Sequence, residues 1–242
     1  MKPDFITDID WQILKKKYPN NLNDIIKKLN EHYPVQYLIG NVEFINTIIK
    51  VDERVLIPRF ETEFLVQHTI EKIKKRKIQN PKILELGTGS GCISIALKKN
   101  IPCTIKAIDI SKKALTLAME NASLNNVTIN FYQSDMLKED LSNYDVIISN
   151  PPYVAYDEKV GEETKFEPQN ALFAPNKGLY FYEEIIKKIS KLVKKPKLIA
   201  FEIGMNQKEE LEKIINKYLK QAKVSILKDL ANKDRYLFIE FE

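Results

Sequence analysis

The segment ILELGTGSGCISIAL, from Ile83 to Leu97, decides the fold of this 242-residue chain. It begins as an apolar strand, passes through a glycine-rich turn and continues directly into a helical pattern. Glycine tolerates positive φ and lets a backbone approach a ligand closely, and the first turn of a helix carries free N–H groups. A strand, a glycine turn and a helix in this order predict an α/β protein with a ligand site beyond the strand.

Strand and helix patterns alternate through the rest of the chain. Strands are predicted at 82–86, 104–109, 128–133, 144–149, 197–203, 223–230 and 235–241, and helices at 93–99, 112–124, 178–193 and 207–219. Such alternation predicts a mostly parallel sheet covered on both faces. The last two strands have no helix between them, which requires an antiparallel pair. We therefore predict a seven-stranded, mostly parallel Rossmann-like α/β sheet with an antiparallel last strand.

The first 76 residues follow a different pattern. Helical patterns at about 8–18 and 22–31 lie within a small N-terminal helical region, 1–33, which is too short for an independent core. A hairpin at 42–51 with Asn46 at its turn, and a helix at 61–75, make up residues 34–76. The main domain is predicted to span 77–242.

Composition excludes several classes of protein. Lys plus Arg number 38 against 33 Asp plus Glu, and the resulting charge of +5 does not call for a nucleic-acid partner. Two cysteines and two histidines argue against a disulfide framework and a metal site. The N-terminus has no apolar signal segment, and no apolar run is long enough to span a membrane. We expect a cytoplasmic protein with no metal and no membrane contact.

Four strand ends carry glycine or polar residues at the edge where α/β sheets bind ligands. They are the glycine turn 87–91, Asp109, the pair Asp135 and Met136, and the segment 150–153. The dinucleotide fingerprint GxGxxG fits poorly, because Gly91 comes one position early. The form ELGTGSG at 85–91 instead resembles motif I of methyltransferases that use S-adenosylmethionine.

Each of these side chains has a cofactor role and a simpler alternative. The carboxylate of Asp109 could accept hydrogen bonds from both ribose hydroxyls of the cofactor. Alternatively, Asp109 caps the next helix, a role that Ser111 could also fill. Asp135 could accept from an adenine amine and Met136 could cover the ring, or they are a turn acid and a core methionine. Glu85 reaches the amine of the methionine moiety or satisfies backbone groups in the loop.

The motif Asn150-Pro151-Pro152-Tyr153 indicates the chemistry. An amide nitrogen is a weak nucleophile, so an enzyme that methylates it must hold it in line and draw its two hydrogens toward acceptors. The Asn150 side-chain carbonyl and the Pro151 backbone carbonyl can supply them, and proline keeps the turn stiff. Tyr153 offers a flat face to a planar amide or base. The alternative is a plain Pro-Pro turn that leaves a strand.

From residue 34 to 242 the sequence resembles the release factor glutamine methyltransferase family. The motifs that carry this resemblance are PVQYLIG at 34–40, VLIPRFETE at 55–63, ILELGTGSGCISIAL at 83–97, SNPPY at 149–153, FEPQNALFAPNKGL at 166–179, FEIG at 201–204 and KDLANKDR at 228–235.

The resemblance implies a class I methyltransferase sheet and N5-methylation of the glutamine in the Gly-Gly-Gln motif of bacterial peptide chain release factors. Together with the residue-level reasoning it assigns S-adenosylmethionine binding to Glu85, Gly87, Thr88, Gly89, Ser90, Gly91, Asp109, Asp135, Met136 and Asn150. Catalysis is assigned to Asn150 and Pro151, and substrate binding to Asn150, Pro151, Pro152, Tyr153, Arg59 and Glu61. We expect a monomer that needs no direct contact with nucleic acid.

Three features depart from the family pattern. Phe60 replaces the proline of IPRPETE, so the shape of that loop need not follow the family pattern. Asn232 replaces a glycine, and asparagine tolerates the left-handed region. The N-terminal helical region, which contacts the release factor away from its glutamine, is shorter than usual. Arg59 and Glu61 could also be a simple surface ion pair.

Three other functions remain open. A DNA adenine N6-methyltransferase would use the same NPPY chemistry on a flipped base, but it needs a target-recognition region, and arginine is scarce here. A glutamine methyltransferase that acts on a ribosomal protein is a second alternative. The third is a non-catalytic binding module that has kept the fold.

Overall fold

The computed structural model describes residues 2–242 and is built around one large sheet. A two-stranded hairpin consists of β1 (Asn41–Phe44) and β2 (Thr47–Lys50). The large sheet contains β3 (Lys82–Leu86), β4 (Thr104–Asp109), β5 (Asn130–Gln133), β6 (Val146–Ser149), β7 (Leu198–Glu202), β8 (Lys223–Lys228) and β9 (Asp234–Glu240).

Eight α-helices accompany these strands along residues 2–242. They are α1 (Asp8–Lys17), α2 (Leu22–Asn30), α3 (Val35–Ile39), α4 (Phe60–Lys75), α5 (Cys92–Asn100), α6 (Lys112–Leu124), α7 (Tyr180–Ser190) and α8 (Lys208–Tyr218). Two short 3₁₀ turns, Glu162–Phe166 and Gln169–Ala171, lie in the long segment between β6 and α7.

The strand order of the large sheet is β5-β4-β3-β6-β7-β9-β8. All pairs from β5 to β7 are parallel, whereas β9 is antiparallel to both β7 and β8. The prediction of seven strands, mostly parallel, with an antiparallel last strand is therefore confirmed. Because β3 and β6 are neighbours at the centre, the glycine turn and the NPPY segment leave the sheet side by side.

Helices cover both faces of the sheet, as the alternation predicted. Apolar side chains from α4, α5 and α6 pack on one face, together with the hairpin residues Phe44 and Ile49. Side chains from α7 and α8 pack on the other face. The central strands are buried on both sides, since Ile83, Leu84 and Ile147 are fully inaccessible to solvent. This double burial explains why these strands read as continuous apolar runs.

The N-terminal residues form a small separate cluster. Leu14, Leu29 and Leu38 pack together there, apart from the two large cores. Helix α3 was not predicted: Pro34 ends the preceding pattern, yet its fixed φ is compatible with a new helix start, and Gly40 ends α3 with a φ of 88°. The division at residues 33 and 76 stays a prediction.

Two turns follow the sequence-based expectation. Asn46 lies at the tip of the hairpin with a φ of 57°. Asn232 has a φ of 62°, so asparagine adopts the left-handed conformation at the position where a glycine was expected. Within residues 2–242, no helix is long and apolar enough to cross a membrane, and no cluster of three or more potential metal-ligating side chains occurs.

Candidate active site

Two adjoining cavities lie at the edge of the sheet where the predicted site residues meet. The larger has a volume of about 220 Å³, and the predicted residues that line it are Gly87, Gly89, Asp109, Asp135, Met136, Asn150 and Pro152. The smaller, of about 50 Å³, is lined among others by Arg59, Glu85, Gly87, Thr88, Gly89, Ser90 and Asn150. Four residues, Leu56, Gly87, Gly89 and Asn150, thus belong to both walls.

The glycine turn presents its backbone to these cavities. Gly87 and Gly89 have φ values of 71° and 53°, which residues with a side chain rarely adopt. A Cβ built on Gly89 would meet no atom within 4 Å, so this position borders open space. A Cβ on Gly91 would approach Ala118 at 3.2 Å, so Gly91 lets α5 pack against α6 and lines neither cavity. Its role in cofactor binding stays a prediction.

Asp109 ends β4 and is held by backbone groups on two sides. Its Oδ2 accepts from Gly89 N and its Oδ1 from Ser111 N, both at 2.8 Å. Burial raises the pKa of this carboxyl, while the backbone donors act against the rise. Ser111 caps α6 by accepting from Ala114 N, so Asp109 is not needed for that hydrogen bond. The carboxylate therefore joins the glycine turn to the wall of the larger cavity.

Glu85 on β3 is a fully buried carboxyl with one unsatisfied oxygen. Its Oε2 accepts hydrogen bonds from the hydroxyls of Thr88, at 2.8 Å, and Ser94. Its Oε1 has no hydrogen-bond partner in residues 2–242, although it is buried. Burial raises the pKa of Glu85 to about 7. A buried acceptor without a donor costs free energy, so a cationic ligand group in the smaller cavity would relieve this cost.

The end of β5 supplies Ser134, Asp135 and Met136 to the larger cavity. Asp135 accepts from Leu137 N at 2.9 Å through Oδ1, so one oxygen belongs to a turn, as the simpler interpretation holds. The Met136 side chain lies against the glycine turn, since a Cβ on Gly87 would be 3.1 Å from its methyl group. Both residues also face the cavity, and their adenine contacts stay a prediction.

The NPPY segment follows β6 and points its asparagine into both cavities. Asn150 Nδ2 donates to Thr62 Oγ1 at 3.2 Å. No hydrogen bond from within residues 2–242 reaches Asn150 Oδ1 or the Pro151 carbonyl. Pro151 is buried and lines neither cavity. Tyr153 packs on the core below α7 and donates to Glu202 at 3.2 Å, so its contact with substrate stays a prediction.

Arg59 pairs with Glu167 and not with Glu61. Its Nη2 donates to Glu167 Oε1 at 2.5 Å, and Ile57 N donates to the other oxygen at 2.9 Å. This ion pair ties the loop before α4 to the segment before the second 3₁₀ turn. Glu61 lies in the first turn of α4 and lines neither cavity. Phe60 begins α4 and packs its exposed ring edge-on against Phe64.

Sequence reasoning missed Thr62, Glu167, Glu202 and Asn121. The first three lie inside the quoted motifs VLIPRFETE, FEPQN and FEIG, but no role was given to them. Asn121 exchanges two hydrogen bonds with the Lys50 backbone, and its Nδ2 also donates to Ser90 O at 2.9 Å. It thereby links the hairpin to the glycine turn. The available signal for Glu202 was a carboxyl group at the end of an apolar strand, the same signal that identified Asp109.

Comparison with known proteins agrees with this geometry. Residues 60–171 match the family described as Methyltransferase small domain. The release factor glutamine methyltransferase of Lactococcus lactis subsp. lactis (strain IL1403) is 41% identical over 223 residues, which cover 90% of this chain and 82% of that protein. The protein of the same description from Streptococcus pneumoniae (strain ATCC BAA-255 / R6) is 37% identical over 241 residues, which cover 98% of this chain and 85% of that protein.

Among solved structures, that of the ribosomal protein L11 methylase from Lactobacillus delbrueckii subsp. bulgaricus has a TM-score of 0.57. It is 20% identical and covers 80% of this chain and 85% of its own, so the likeness shows the fold alone. The sequence relatives carry the assignment further, and they confirm the resemblance drawn from the motifs. The chain belongs to the family of release factor glutamine methyltransferases.

Proposed function

We propose that this enzyme transfers a methyl group from S-adenosylmethionine to N5 of the glutamine in the Gly-Gly-Gln motif of peptide chain release factors. One observation carries the proposal. Asn150 belongs to the walls of both cavities, its Nδ2 is bound to Thr62, and its Oδ1 has no partner in residues 2–242. A free carbonyl oxygen at the junction of two cavities is an acceptor for an incoming amide N–H.

The residues around the cavities fit S-adenosylmethionine by their chemistry. Asp109 would accept from ribose hydroxyls, and Asp135 and Met136 would border the adenine. Glu85 would receive the amino group of the methionine moiety at its unsatisfied Oε1. When bound, this cofactor supplies a methyl group on an electrophilic sulfonium. Thr88 and Ser90 would complete the wall beside Gly87 and Gly89.

The chain's own contribution to the reaction is to position the glutamine amide. Asn150 Oδ1 would accept one amide hydrogen and the Pro151 carbonyl the other, which aims the nitrogen lone pair at the smaller cavity. The amide nitrogen would form a bond to the methyl carbon as the bond from that carbon to the sulfonium sulfur breaks, which leaves S-adenosylhomocysteine. The nitrogen would then release one proton to solvent. Because the nitrogen becomes acidic only as the new bond forms, no strong base is required. Orientation of this kind supplies up to about 7–11 kcal/mol in well-ordered systems.

We infer further that the substrate is the release factor protein itself and that the enzyme acts in the cytoplasm as a monomer, without direct contact with nucleic acid. Pro152, Tyr153, Arg59 and Glu61 would surround the glutamine-bearing loop. Arg59 supports this role because its pairing with Glu167 orders the loop beside the smaller cavity.

Mass spectrometry of a release factor after incubation with the enzyme and S-adenosylmethionine tests the proposal. We expect a gain of one methyl group on the glutamine of Gly-Gly-Gln. Asn150→Ala should abolish this gain while the affinity for S-adenosylhomocysteine stays within about twofold, whereas Asn216→Ala, on the exposed face of α8, should behave like the wild type. Methylation of a ribosomal protein or of DNA adenine instead, or cofactor binding without transfer, would refute the proposal in favour of the corresponding alternative.

A further inference from the structure

A chain of hydrogen bonds runs from the wall of the candidate active site to a buried carboxyl group. Thr62 Oγ1 donates to Glu202 Oε2 at 2.7 Å, and Asn150 Nδ2 donates to the same Thr62 oxygen at 3.2 Å. Thr62 and Glu202 are almost completely buried, at 2% and 1% exposure. The contacts join helix α4, strand β7 and the end of strand β6, which are far apart in sequence.

We propose that Thr62 is a positioning residue whose hydroxyl, oriented by Glu202, fixes which way the Asn150 amide faces. The proposal rests on the function proposed above, because it concerns how the same asparagine is made ready for a substrate amide. Thr62 also lines the smaller cavity, but the role proposed here is exerted through Asn150.

The direction of the hydrogen bonds decides the orientation of the amide. A hydroxyl has one hydrogen to donate and lone pairs that accept. Because the Thr62 hydrogen is directed to Glu202, the Thr62 oxygen is left to accept from Asn150. An acceptor at this point selects the NH₂ end of the Asn150 amide, so the carbonyl end must turn toward the cavities. The opposite amide orientation would place two acceptors, Asn150 Oδ1 and Thr62 Oγ1, against each other.

Both oxygens of Glu202 are engaged, which keeps the Thr62 hydrogen in place. Tyr153 donates to Oε1 at 3.2 Å, while Thr62 donates to Oε2. Burial raises the pKa of Glu202, and the Thr62 hydrogen bond, the positive charge of Arg235 and the Tyr153 hydrogen bond act in the opposite direction. The carboxylate form, which the two hydroxyl donors and Arg235 favour, accepts only, so neither hydroxyl can reverse its bond to it.

The experiment compares three substitutions on the same helix. Thr62→Val removes the hydroxyl and keeps the shape, and Thr62→Ser restores the hydroxyl without the methyl group. Thr69→Val is the matched control, because Thr69 is also fully buried but its hydroxyl donates only to Leu65 O of its own helix. Thr69 therefore reports the effect of losing a buried hydroxyl from α4 without disturbing Asn150.

The first measurement is kcat and KM for release factor methylation, with S-adenosylhomocysteine affinity measured alongside. For Thr62→Val we expect kcat to fall about 10- to 100-fold, the scale of a misplaced reacting group, with KM and cofactor affinity within about threefold. Thr62→Ser should recover most of kcat, and Thr69→Val should leave it unchanged. Equal losses for Thr62→Val and Thr69→Val, or no recovery in Thr62→Ser, would overturn the proposal.

The second measurement does not depend on activity. Hydrogen exchange of the Asn150 side-chain amide, assigned by its disappearance in Asn150→Ala, should accelerate in Thr62→Val and stay slow in Thr62→Ser and Thr69→Val. An unchanged exchange rate in Thr62→Val would refute the positioning role. If the wild type fails to methylate any release factor, the proposed function falls, and this exchange measurement still decides whether Thr62 orients Asn150.

Discussion

Glu85 makes the stability of the protein depend on pH in a direction opposite to that of most carboxyl groups. Burial raises its pKa from an ordinary 4.5 to about 7. The folded state therefore retains the proton that the unfolded chain loses, and stability falls as pH rises from 4.5 to about 7. At about 1.4 kcal/mol per pH unit, this difference corresponds to about 3 kcal/mol in the free energy of unfolding.

The assay is denaturant unfolding of the cofactor-free protein from pH 4.5 to pH 8, compared with Glu85→Gln. All other titrating groups contribute to both proteins, so the difference between the two curves isolates Glu85. We expect the wild type to lose about 3 kcal/mol relative to the variant across this range, with little further change above pH 8. Parallel curves for the two proteins would refute the assignment of a raised pKa to Glu85.

The same carboxyl group should couple cofactor binding to pH. An ammonium group pairs with the ionised form, so the affinity for S-adenosylhomocysteine should increase as pH rises toward 7, by up to tenfold per unit, and binding should release a proton below that pH. Glu85→Gln should bind weakly at every pH without this dependence. Titration calorimetry in two buffers of different ionisation enthalpy measures the released proton directly.

Two further predictions concern the walls of the site. Asp109→Ala removes the acceptor for Gly89 N and the predicted ribose contact. The binding free energy of S-adenosylhomocysteine, measured by calorimetry, should therefore become weaker by about 1–3 kcal/mol. An unchanged dissociation constant would exclude the ribose role. Glu167→Gln keeps an acceptor for Ile57 N but removes the negative charge that faces Arg59. We expect it to lower the free energy of unfolding by about 1–3 kcal/mol and to raise KM for the release factor. Wild-type stability and kinetics in this variant would show that the ion pair does not order the loop.

Local patterns in the sequence predicted the sheet and the part of the cavity wall that lies at the strand ends. The strands are short apolar runs, and the polar residues at their ends, such as Asp109 and Asn150, must share one edge because parallel strands end together. That argument needs only the strand order along the chain. It also extends to Glu202, which ends β7 in the same way and was not singled out.

The contacts that hold Thr62 and Arg59 in the wall could not be predicted in this way. Thr62 contacts Asn150 because helix α4 packs against strand β7. Arg59 contacts Glu167 because the long segment between β6 and α7 lies against the loop before α4. Such partners are far apart in sequence, and no periodic sequence pattern relates their positions. Asn121 shows the same limit, because nothing in a helical pattern distinguishes an asparagine that binds the hairpin from one on the surface.

The strand order explains why two buried carboxyl groups flank one asparagine. Strand β6 lies between β3 and β7, so Asn150 emerges between Glu85 on one side and Glu202 on the other. Each carboxyl group costs stability through burial, and each serves a different partner: Glu85 keeps an unsatisfied oxygen in the wall of the smaller cavity, while Glu202 orients Asn150 through Thr62. Loss of Glu85 should therefore impair cofactor binding, and loss of Glu202 should impair the turnover of bound substrate.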